Sequence, residues 1–258
     1  MCLVLVVHDA HRDYRLIVAA NRDEFYDRPT LPADFWADAP EVLAGRDLRA
    51  GGTWLGIDRA GRFAAVTNYR QGRREPPGVR SRGHLVAGYL TGMKAARTRV
   101  AGVEREAGLY NGFSLLVADA RELLYFSNRQ GIVHPLAPGM YGLSNHLLDT
   151  PWPKVTSGKA ALGALDREQA PELTADLFEL LSDRHRPADE LLPRTGVGPE
   201  WERLLSSAFI ATPDYGTRSS TVVLIGRNGR VEFAERSFGP NGVAAGEVRY
   251  EFALSHAE

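Results

Sequence analysis

Two apolar runs joined by a short polar segment open the chain, and no other feature of the sequence restricts its fold as strongly. Residues 2–7 form a continuous Val-rich run, residues 15–20 form a second, and the segment 8–14 between them is polar. Runs of this length around a polar connection are typical of a hairpin of buried β-strands. The chain is therefore expected to begin with an antiparallel strand pair.

The rest of the sequence alternates between strand-like and helix-like blocks. Further strand pairs are predicted at 53–57 with 63–67, 113–118 with 123–127, and 221–225 with 231–233, followed by a strand at 250–254. Helical spacing predicts helices over 83–107, divided at Gly102, and over most of 155–205, with a looser stretch around 187–199. The stretch with Pro29, Pro32 and Pro40 and the Arg-rich segment 71–82 are expected to be loops. This order favours an α+β fold, with one domain spanning 1–258.

The composition excludes several classes of protein. The chain has 258 residues, of which 44% are hydrophobic and 24% charged, as in an ordinary folded globule. A formal net charge of -1 argues against a wide binding face for nucleic acid or an anionic membrane. No apolar segment approaches the ~20 residues of a membrane span, and the start lacks the basic residues of a secretory signal. The composition does not determine the oligomeric state.

Cysteine usage is equally informative. Cys2 is the only thiol, so an internal disulfide and a cysteine-only metal site are both excluded. A reducing, cytoplasmic location is therefore expected.

Four adjacent polar residues end the second strand. They are Asn21, Arg22, Asp23 and Glu24, with no Gly or Pro between them. If the hairpin turns about the middle of 8–14, Cys2 lies opposite Asn21 and Arg22, and opposed residues have Cβ atoms only ~5 Å apart. We therefore predict that this polar quartet forms the wall of a pocket around the single thiol.

The position of Cys2 directly after Met1 indicates a possible chemistry. A small residue at position 2 permits removal of Met1, which leaves a cysteine whose own α-amine, with a pKa of about 8, is a general base. Arg22 would favour the thiolate by charge, and Asp23 can orient the amine or the thiol. Such a group attacks an amide or ester carbonyl. A retained Met1 would block the amine, and the alternative that Cys2 is an inert core residue stays open.

Several segments extend this pattern along nearly the whole chain. They are MC at the start, LIVAANRDEFYDRP, GGTWLGI with AAVTNYR, LYNGFSLLVAD, YGLSNHLLDTPWPKV, YGTRSSTVVLI, FAERSF and YEF. In these segments the chain resembles the transport and Golgi organisation protein 2 family, also called the NRDE family. The resemblance implies a fold similar to that of N-terminal-nucleophile hydrolases, a four-layer αββα sandwich of two antiparallel sheets flanked by helices.

Within that superfamily, the resemblance to penicillin V acylases and bile salt hydrolases implies a set of catalytic residues. The corresponding residues here are Cys2, Arg22, Asp23, Asn145 of GLSN in the oxyanion hole, and Arg218 of GTRSST. Arg22 and Asp23 are adjacent, whereas the acylases separate the two by two residues. Adjacent strand residues point to opposite faces, so both can serve Cys2 only if the strand has ended or bulged there.

Other residues are candidates on chemical grounds. Asn145 follows a predicted strand and offers an amide donor for an oxyanion, although it is equally suited to a turn before a helix. Arg218 can bind a carboxylate or phosphate, or lie at the surface as a strand-end residue. Asn68 is a further candidate donor, and Asn21 and Glu24 are expected to bind the ligand with it.

The alternative to an enzyme is a carrier. Members of the family have been linked to haem trafficking and to acyl-CoA or lipid handling, so the resemblance also implies a pocket that binds such a ligand. Hydrolysis requires no cofactor, whereas haem would need an axial ligand such as Cys2. The seven His are scattered, and no metal site is expected. The Arg-rich segment 70–82 suits the phosphates of acyl-CoA, or is simply a solvated loop.

Overall fold

The computed structural model describes residues 2–72, 80–165 and 173–255. The strands are β1 (Cys2–His8), β2 (Tyr14–Phe25), β3 (Thr30–Trp36), β4 (Ala39–Asp47), β5 (Leu55–Asp58), β6 (Phe63–Asn68), β7 (Phe113–Ala118), β8 (Leu123–Ser127), β9 (Val133–Pro135), β10 (Gly139–Leu143), β11 (Tyr215–Gly226), β12 (Arg230–Phe238) and β13 (Ala244–Ala253). The helices are α1 (Gly83–Leu90), α2 (Ala96–Arg105), α3 (Pro153–Ala164), α4 (Leu173–Leu181) and α5 (Pro199–Leu204).

The strands form two stacked antiparallel sheets. Sheet A has the order β10-β1-β2-β11-β12-β13, and sheet B has the order β3-β4-β5-β6-β7-β8-β9. One apolar core fills the space between the sheets, a second lies between sheet B and helices α1 and α2, and a third lies between sheet A and helices α3 and α4. The αββα sandwich expected from the sequence is therefore confirmed.

The alternation of side chains along β2 explains its apolar run. Val18 and Ala20 face sheet B in the central core, whereas Ile17 and Ala19 face the helices of the outer layer. Both faces of this strand are thus buried, as the continuous apolar pattern of the sequence requires.

The register of the first hairpin places the two ends of the polar pattern together. Cys2 pairs directly with Arg22, and Leu3 pairs with Asn21. The predicted proximity of Cys2 to the polar quartet is therefore confirmed. On its other side, β2 pairs with β11, where Thr217 lies opposite Asp23 and Ser219 opposite Arg22. Arg218 is the extra residue of a β-bulge between them.

The prediction of a loop around the three prolines was wrong. Residues 30–47 form strands β3 and β4. Proline disrupts a central strand because it cannot donate to the ladder, but it is tolerated at edges, bulges and strand starts. Pro32 lies in the edge strand β3 at a register shift, and Pro40 is the second residue of β4.

The helical regions also differ in detail from the prediction. The break between the first two helices lies at 91–95, and Gly102 is inside α2, where there is open space around it. The region 155–205 contains α3, α4 and α5, and the looser stretch expected around 187–199 is confirmed, because 182–198 lie outside any α-helix. Part of the expected loop 71–82 and the stretch 166–172 lie outside the described residues. None of the helices in the described ranges combines the length and apolar character of a membrane span.

Candidate active site

A cavity of about 360 Å³ opens at the end of the strand pair β1 and β2, and we call it the Cys2 cavity. Its wall includes Cys2, Arg22, Asp23 and Glu24, and on the sheet B side Trp54 and Asn68. Three of the four residues of the polar quartet thus line one cavity with the only thiol of the chain.

Arg22 is the buried cation of this cavity. The residue is 6% exposed, and its guanidinium carbon lies 4.3 Å from the centre of the Trp54 ring. Its Nη1 has no hydrogen-bond partner among the described residues. Burial lowers the pKa of Arg22, although Glu24 and Cys2 oppose this by charge. A guanidinium cannot lose its proton within a protein, so this group is a permanent positive charge opposite Cys2.

Asp23 points to the opposite face of β2, as the strand alternation requires. Its Oδ1 accepts a hydrogen bond of 2.7 Å from the hydroxyl of Thr217, its direct neighbour in β11. Burial raises the pKa of Asp23, and the nearby charge of Lys154 opposes this. Both Asp23 and Arg22 still line the Cys2 cavity, because the cavity lies at the end of the strand pair.

Asn145 and Ser144 hold the backbone of Cys2. The N–H of Cys2 donates to Oδ1 of Asn145 at 3.3 Å, and the hydroxyl of Ser144 donates to the carbonyl oxygen of Cys2 at 3.0 Å. The amide nitrogen of Asn145 donates in turn to the carbonyl oxygen of Asn68 at 3.0 Å. One of the two N–H groups of this amide is therefore bound to the backbone, and the amide oxygen fixes the nitrogen of Cys2.

Two residues expected at the site lie elsewhere. Asn21 is 1% exposed, and its amide nitrogen donates to the carbonyl oxygens of Leu181 and Ala208 at 2.8 Å, on the helical side of sheet A. Arg218 donates to the carbonyl oxygens of Phe25 and Arg28, so it fixes the segment that follows β2. Neither side chain lines the Cys2 cavity.

Arg218 instead lines a neighbouring cavity of about 320 Å³, whose wall also includes Arg22, Trp54 and Glu235. Glu235 is 2% exposed; its Oε1 accepts the N–H of Ala33 at 2.8 Å, which links sheet A to sheet B. Burial raises the pKa of Glu235, and Arg22 is among the groups that oppose this. Arg22 thus lies between the two cavities.

The sequence did not single out Trp54, Glu235 or Lys154. Trp54 reaches Arg22 only through the stacking of the two sheets, and Glu235 lies near Arg22 because β11 pairs with both β2 and β12. No local pattern reveals either relationship. Lys154 is 3% exposed near Asp23, at the start of α3. A signal for Lys154 does exist in the sequence, because lysine is rare in this chain and this one directly follows a helix-starting proline.

The environment of the Cys2 thiol favours its protonated form. Burial raises the pKa of Cys2, and the charge of Asp23 adds to the effect, while Arg22 opposes it. A reaction at Cys2 therefore needs a nearby base to accept the thiol proton. No group of three or more His, Cys, Asp or Glu in the described ranges is arranged to hold a metal ion.

The sequence profile of the transport and Golgi organisation 2 family matches residues 1–240. The chain belongs to the transport and Golgi organisation 2 family. It is 43% identical to the transport and Golgi organization protein 2 homolog of Bos taurus, over 92% of this chain and 93% of that protein. It is 40% identical to the Homo sapiens homolog, over 98% of this chain and 99% of that protein.

The same family relationship extends to Drosophila melanogaster, whose transport and Golgi organization protein 2 is 32% identical over 92% of each chain. Among solved structures, this member of the transport and Golgi organisation 2 family is similar to the Caenorhabditis elegans ortholog of N-acylethanolamine-hydrolyzing acid amidase. The TM-score is 0.51 at 12% identity, covering 86% of this chain and 92% of that chain. The fold is therefore that of the N-terminal-nucleophile hydrolases.

Proposed function

We propose that the protein is an N-terminal-nucleophile cysteine hydrolase that acts on the carbonyl group of an amide or ester after removal of Met1. The observation that carries this proposal is the position of Cys2. The only thiol lines a cavity opposite a buried arginine, and its backbone nitrogen is anchored by Asn145. The fold shared with an amide-hydrolysing enzyme supports the proposal.

The first half of the proposed reaction forms a thioester. The α-amine of processed Cys2 takes the thiol proton, and its nitrogen keeps the bond to Asn145 that the Cys2 N–H makes now. The thiolate attacks the carbonyl carbon, so a C–S bond forms and negative charge moves to the carbonyl oxygen. The C–N or C–O bond then breaks, and the ammonium gives its proton to the leaving amine or alcohol.

The second half releases the acid. The α-amine now accepts a proton from water, which attacks the thioester; the C–S bond breaks, and the thiol recovers its proton. An amine or alcohol in place of water gives acyl transfer through the same intermediate. Neither half requires a cofactor. Because the mechanism needs a free thiol, we place the activity in a reducing compartment such as the cytoplasm.

The neighbouring side chains have distinct proposed roles. Arg22 stabilises the thiolate by charge across the strand pair. Asp23 accepts a hydrogen bond from the α-amine and holds its orientation. Asn68, which lines the cavity, is the better placed donor for the oxyanion, because Asn145 is occupied with the backbone of Cys2 and Asn68.

The test begins with the mass of the intact protein, which is expected to lack Met1. N-acyl amides, aryl esters and acyl thioesters are then offered to the wild type and to Cys2→Ala, with mass detection of an acyl adduct. We expect turnover and an adduct at Cys2 in the wild type, and loss of activity by at least about 100-fold in Cys2→Ala. Quantitative retention of Met1 would rule out the mechanism.

The lining of the Cys2 cavity favours a second candidate function, carriage of an anionic ligand. Five arginines line the cavity against three carboxylates: Arg22, Arg28, Arg49, Arg80 and Arg82 against Asp23, Glu24 and Asp47. Acyl-CoA carries phosphates and haem carries propionates, and guanidinium groups bind both kinds of anion. Carriage is expected to survive Cys2→Ser and to weaken in Arg22→Met. Absence of binding in a titration of the wild type with both ligands would end this alternative.

A further inference from the structure

Lys154 occupies a position that stability does not explain. It is the second residue of α3, 3% exposed, and its Nζ has no hydrogen-bond partner within the described part of the chain. A buried ammonium without hydrogen bonds is costly. The start of a helix also carries partial positive charge, which disfavours a cation there.

The choice of lysine at this position is itself informative. Only three of the 31 basic residues are lysines, and the rest are arginines. Lys94 is exposed, and Lys159, on the same helix as Lys154, forms a surface ion pair of 2.7 Å with Asp149. Lysine can release its proton when buried, whereas arginine cannot. Among the described residues, the most buried basic residue is thus the one type that can become neutral by losing its proton.

The groups around Lys154 belong to the site described above. Asp23 of β2 and Cys2 of β1 attract its charge, and Arg70, which follows β6, repels it. Three further titratable groups contact or lie near these residues. Glu202 of α5 pairs with Arg70 at 2.9 Å, and His146 is also close to Arg70. Tyr215 of β11 is close to Asp23. The strongest favourable interaction of Lys154 is thus with the carboxylate proposed to orient the Cys2 amine.

We propose that Lys154 is a positioning residue of the Cys2 site that acts through Asp23: the ammonium form of Lys154 compensates the charge of the Asp23 carboxylate, and the neutral amine of Lys154 does not. The inference rests on the proposed role of Asp23 toward Cys2. With the proton on Lys154, the charge of Asp23 is compensated and the Cys2 thiolate is favoured. When Lys154 is neutral, the Asp23 carboxylate has lost this part of its compensation, and its charge raises the pKa of the Cys2 thiol more strongly.

Alkylation of Cys2 by iodoacetamide tests this role, because the chain has no other thiol. Rates are measured from pH 6.5 to 9.5 for the wild type, Lys154→Arg, Lys154→Met and the control Lys159→Met. Burial lowers the pKa of Lys154 to about 8. We therefore expect the alkylation rate of the wild type to match that of Lys154→Arg near pH 6.5 and that of Lys154→Met near pH 9.5. At pH 9.5 Lys154→Arg should react at least about threefold faster than the wild type.

Two results would overturn the proposal. One is a wild type that follows a single Lys154 variant at every pH, since Lys154 would then not change its charge. The other is equal rates for Lys154→Arg and Lys154→Met, since the charge would then not reach Cys2. Lys159→Met should follow the wild type throughout.

A second measurement needs no Lys154→Met protein and guards against a variant that does not fold. With lysine labelled at Cε, the NMR spectrum has three lysine signals to follow. We expect one of them to titrate near pH 8 and to be missing in Lys154→Arg. Three signals that all titrate near the ordinary lysine value of about 10.4 would contradict the proposal. Neither measurement needs turnover or removal of Met1, so failure of the proposed hydrolase activity is a separate result.

Discussion

Cys2 and Arg22 face each other as a directly opposed pair across strands β1 and β2, and the guanidinium of Arg22 stacks on Trp54 of the other sheet. The hairpin brings the cation to the thiol, and the second sheet fixes its orientation. Arg22 is therefore held beside the only thiol of the chain.

Replacement of Arg22 is expected to slow the reaction of Cys2 with electrophiles. In Arg22→Met the thiol loses the positive charge that counteracts burial, so its pKa rises further. We expect alkylation at pH 8 to slow by about tenfold, with Arg22→Lys between this variant and the wild type. Arg49→Met, at a half-exposed arginine of the same cavity, is the control. Equal rates for Arg22→Met and Arg49→Met would contradict this role of Arg22.

Glu235→Gln is expected to stabilise the fold increasingly as the pH rises. Burial raises the pKa of Glu235 above its ordinary value of 4.5, so the unfolded chain ionises first and the wild type loses stability as the pH passes through this range. Glutamine keeps an acceptor for the N–H of Ala33 and carries no charge. Urea unfolding at pH 4 and pH 7 should show the gain of the variant growing with pH.

Asp38→Asn provides a comparison of the opposite sign. The hydrogen bond from Arg46 lowers the pKa of Asp38. The ionised Asp38 therefore stabilises the wild type at pH values above the ordinary carboxyl pKa, and this stabilisation is lost as the pH falls through the lowered pKa. The variant should therefore be less stable than the wild type at pH 7 and equal to it in acid. For Glu235→Gln, a gain in the free energy of unfolding that does not change with pH would contradict the prediction, because Glu235 would then have the same pKa in the folded and unfolded chain.

Two glycines on the sheet B side are expected to respond oppositely to alanine. A Cβ on Gly56 would lie 2.6 Å from Cβ of Ala44 and 2.9 Å from Cδ1 of Leu90, so the strand and α1 must move apart. Gly56→Ala should destabilise the protein by about 1–3 kcal/mol. Gly102→Ala, in open space within α2, should stabilise it by about 0.5–1 kcal/mol. Thermal unfolding measures both, and a neutral Gly56→Ala would mean that β5 and α1 are not tightly packed.

Arg62→Met is expected to destabilise the contact between the β5–β6 turn and α1. Arg62 bonds the 2% exposed carboxylate of Asp58 at 2.6 Å and also donates to the carbonyl oxygens of Tyr89, Leu90 and Gly92 at the end of α1. Its removal leaves these acceptors without their donor, at a cost of about 2–4 kcal/mol. Urea unfolding measures this loss. The control Arg97→Met breaks a surface ion pair and should cost below about 1 kcal/mol in the same measurement. Similar losses for the two variants would contradict the prediction.

The sequence predicted those parts of the fold that depend on local patterns. The apolar runs of β1 and β2 and the tight connection between them led to the pairing of Cys2 with Arg22. Strands β3 and β4 were missed because Pro32 and Pro40 are unfavourable within a strand, unless the strand lies at an edge or is just beginning. That tolerance depends on the neighbours of the strand, which no local pattern contains.

The candidate site could be predicted in part for the same reason. Alternation along β2 separates Arg22 from Asn21, which binds the carbonyl oxygens of Leu181 and Ala208, but the sequence does not reveal which face bears the cavity. Arg218 was assigned by resemblance, and the bulge in β11 directs it to the backbone beyond β2. A bulge is set by the pairing of two distant strands, so its effect on one side chain becomes visible only in the folded chain.

The anchoring of Cys2 by Asn145 also determines how the protein should be produced. Cys2 lines the cavity, so any tag or fusion partner placed ahead of it starts from the cavity wall and prevents exposure of the Cys2 amine. Under the proposed mechanism, protein prepared in that form would be inactive because the Cys2 amine is blocked. A purification tag is best attached beyond β13, at the far edge of sheet A.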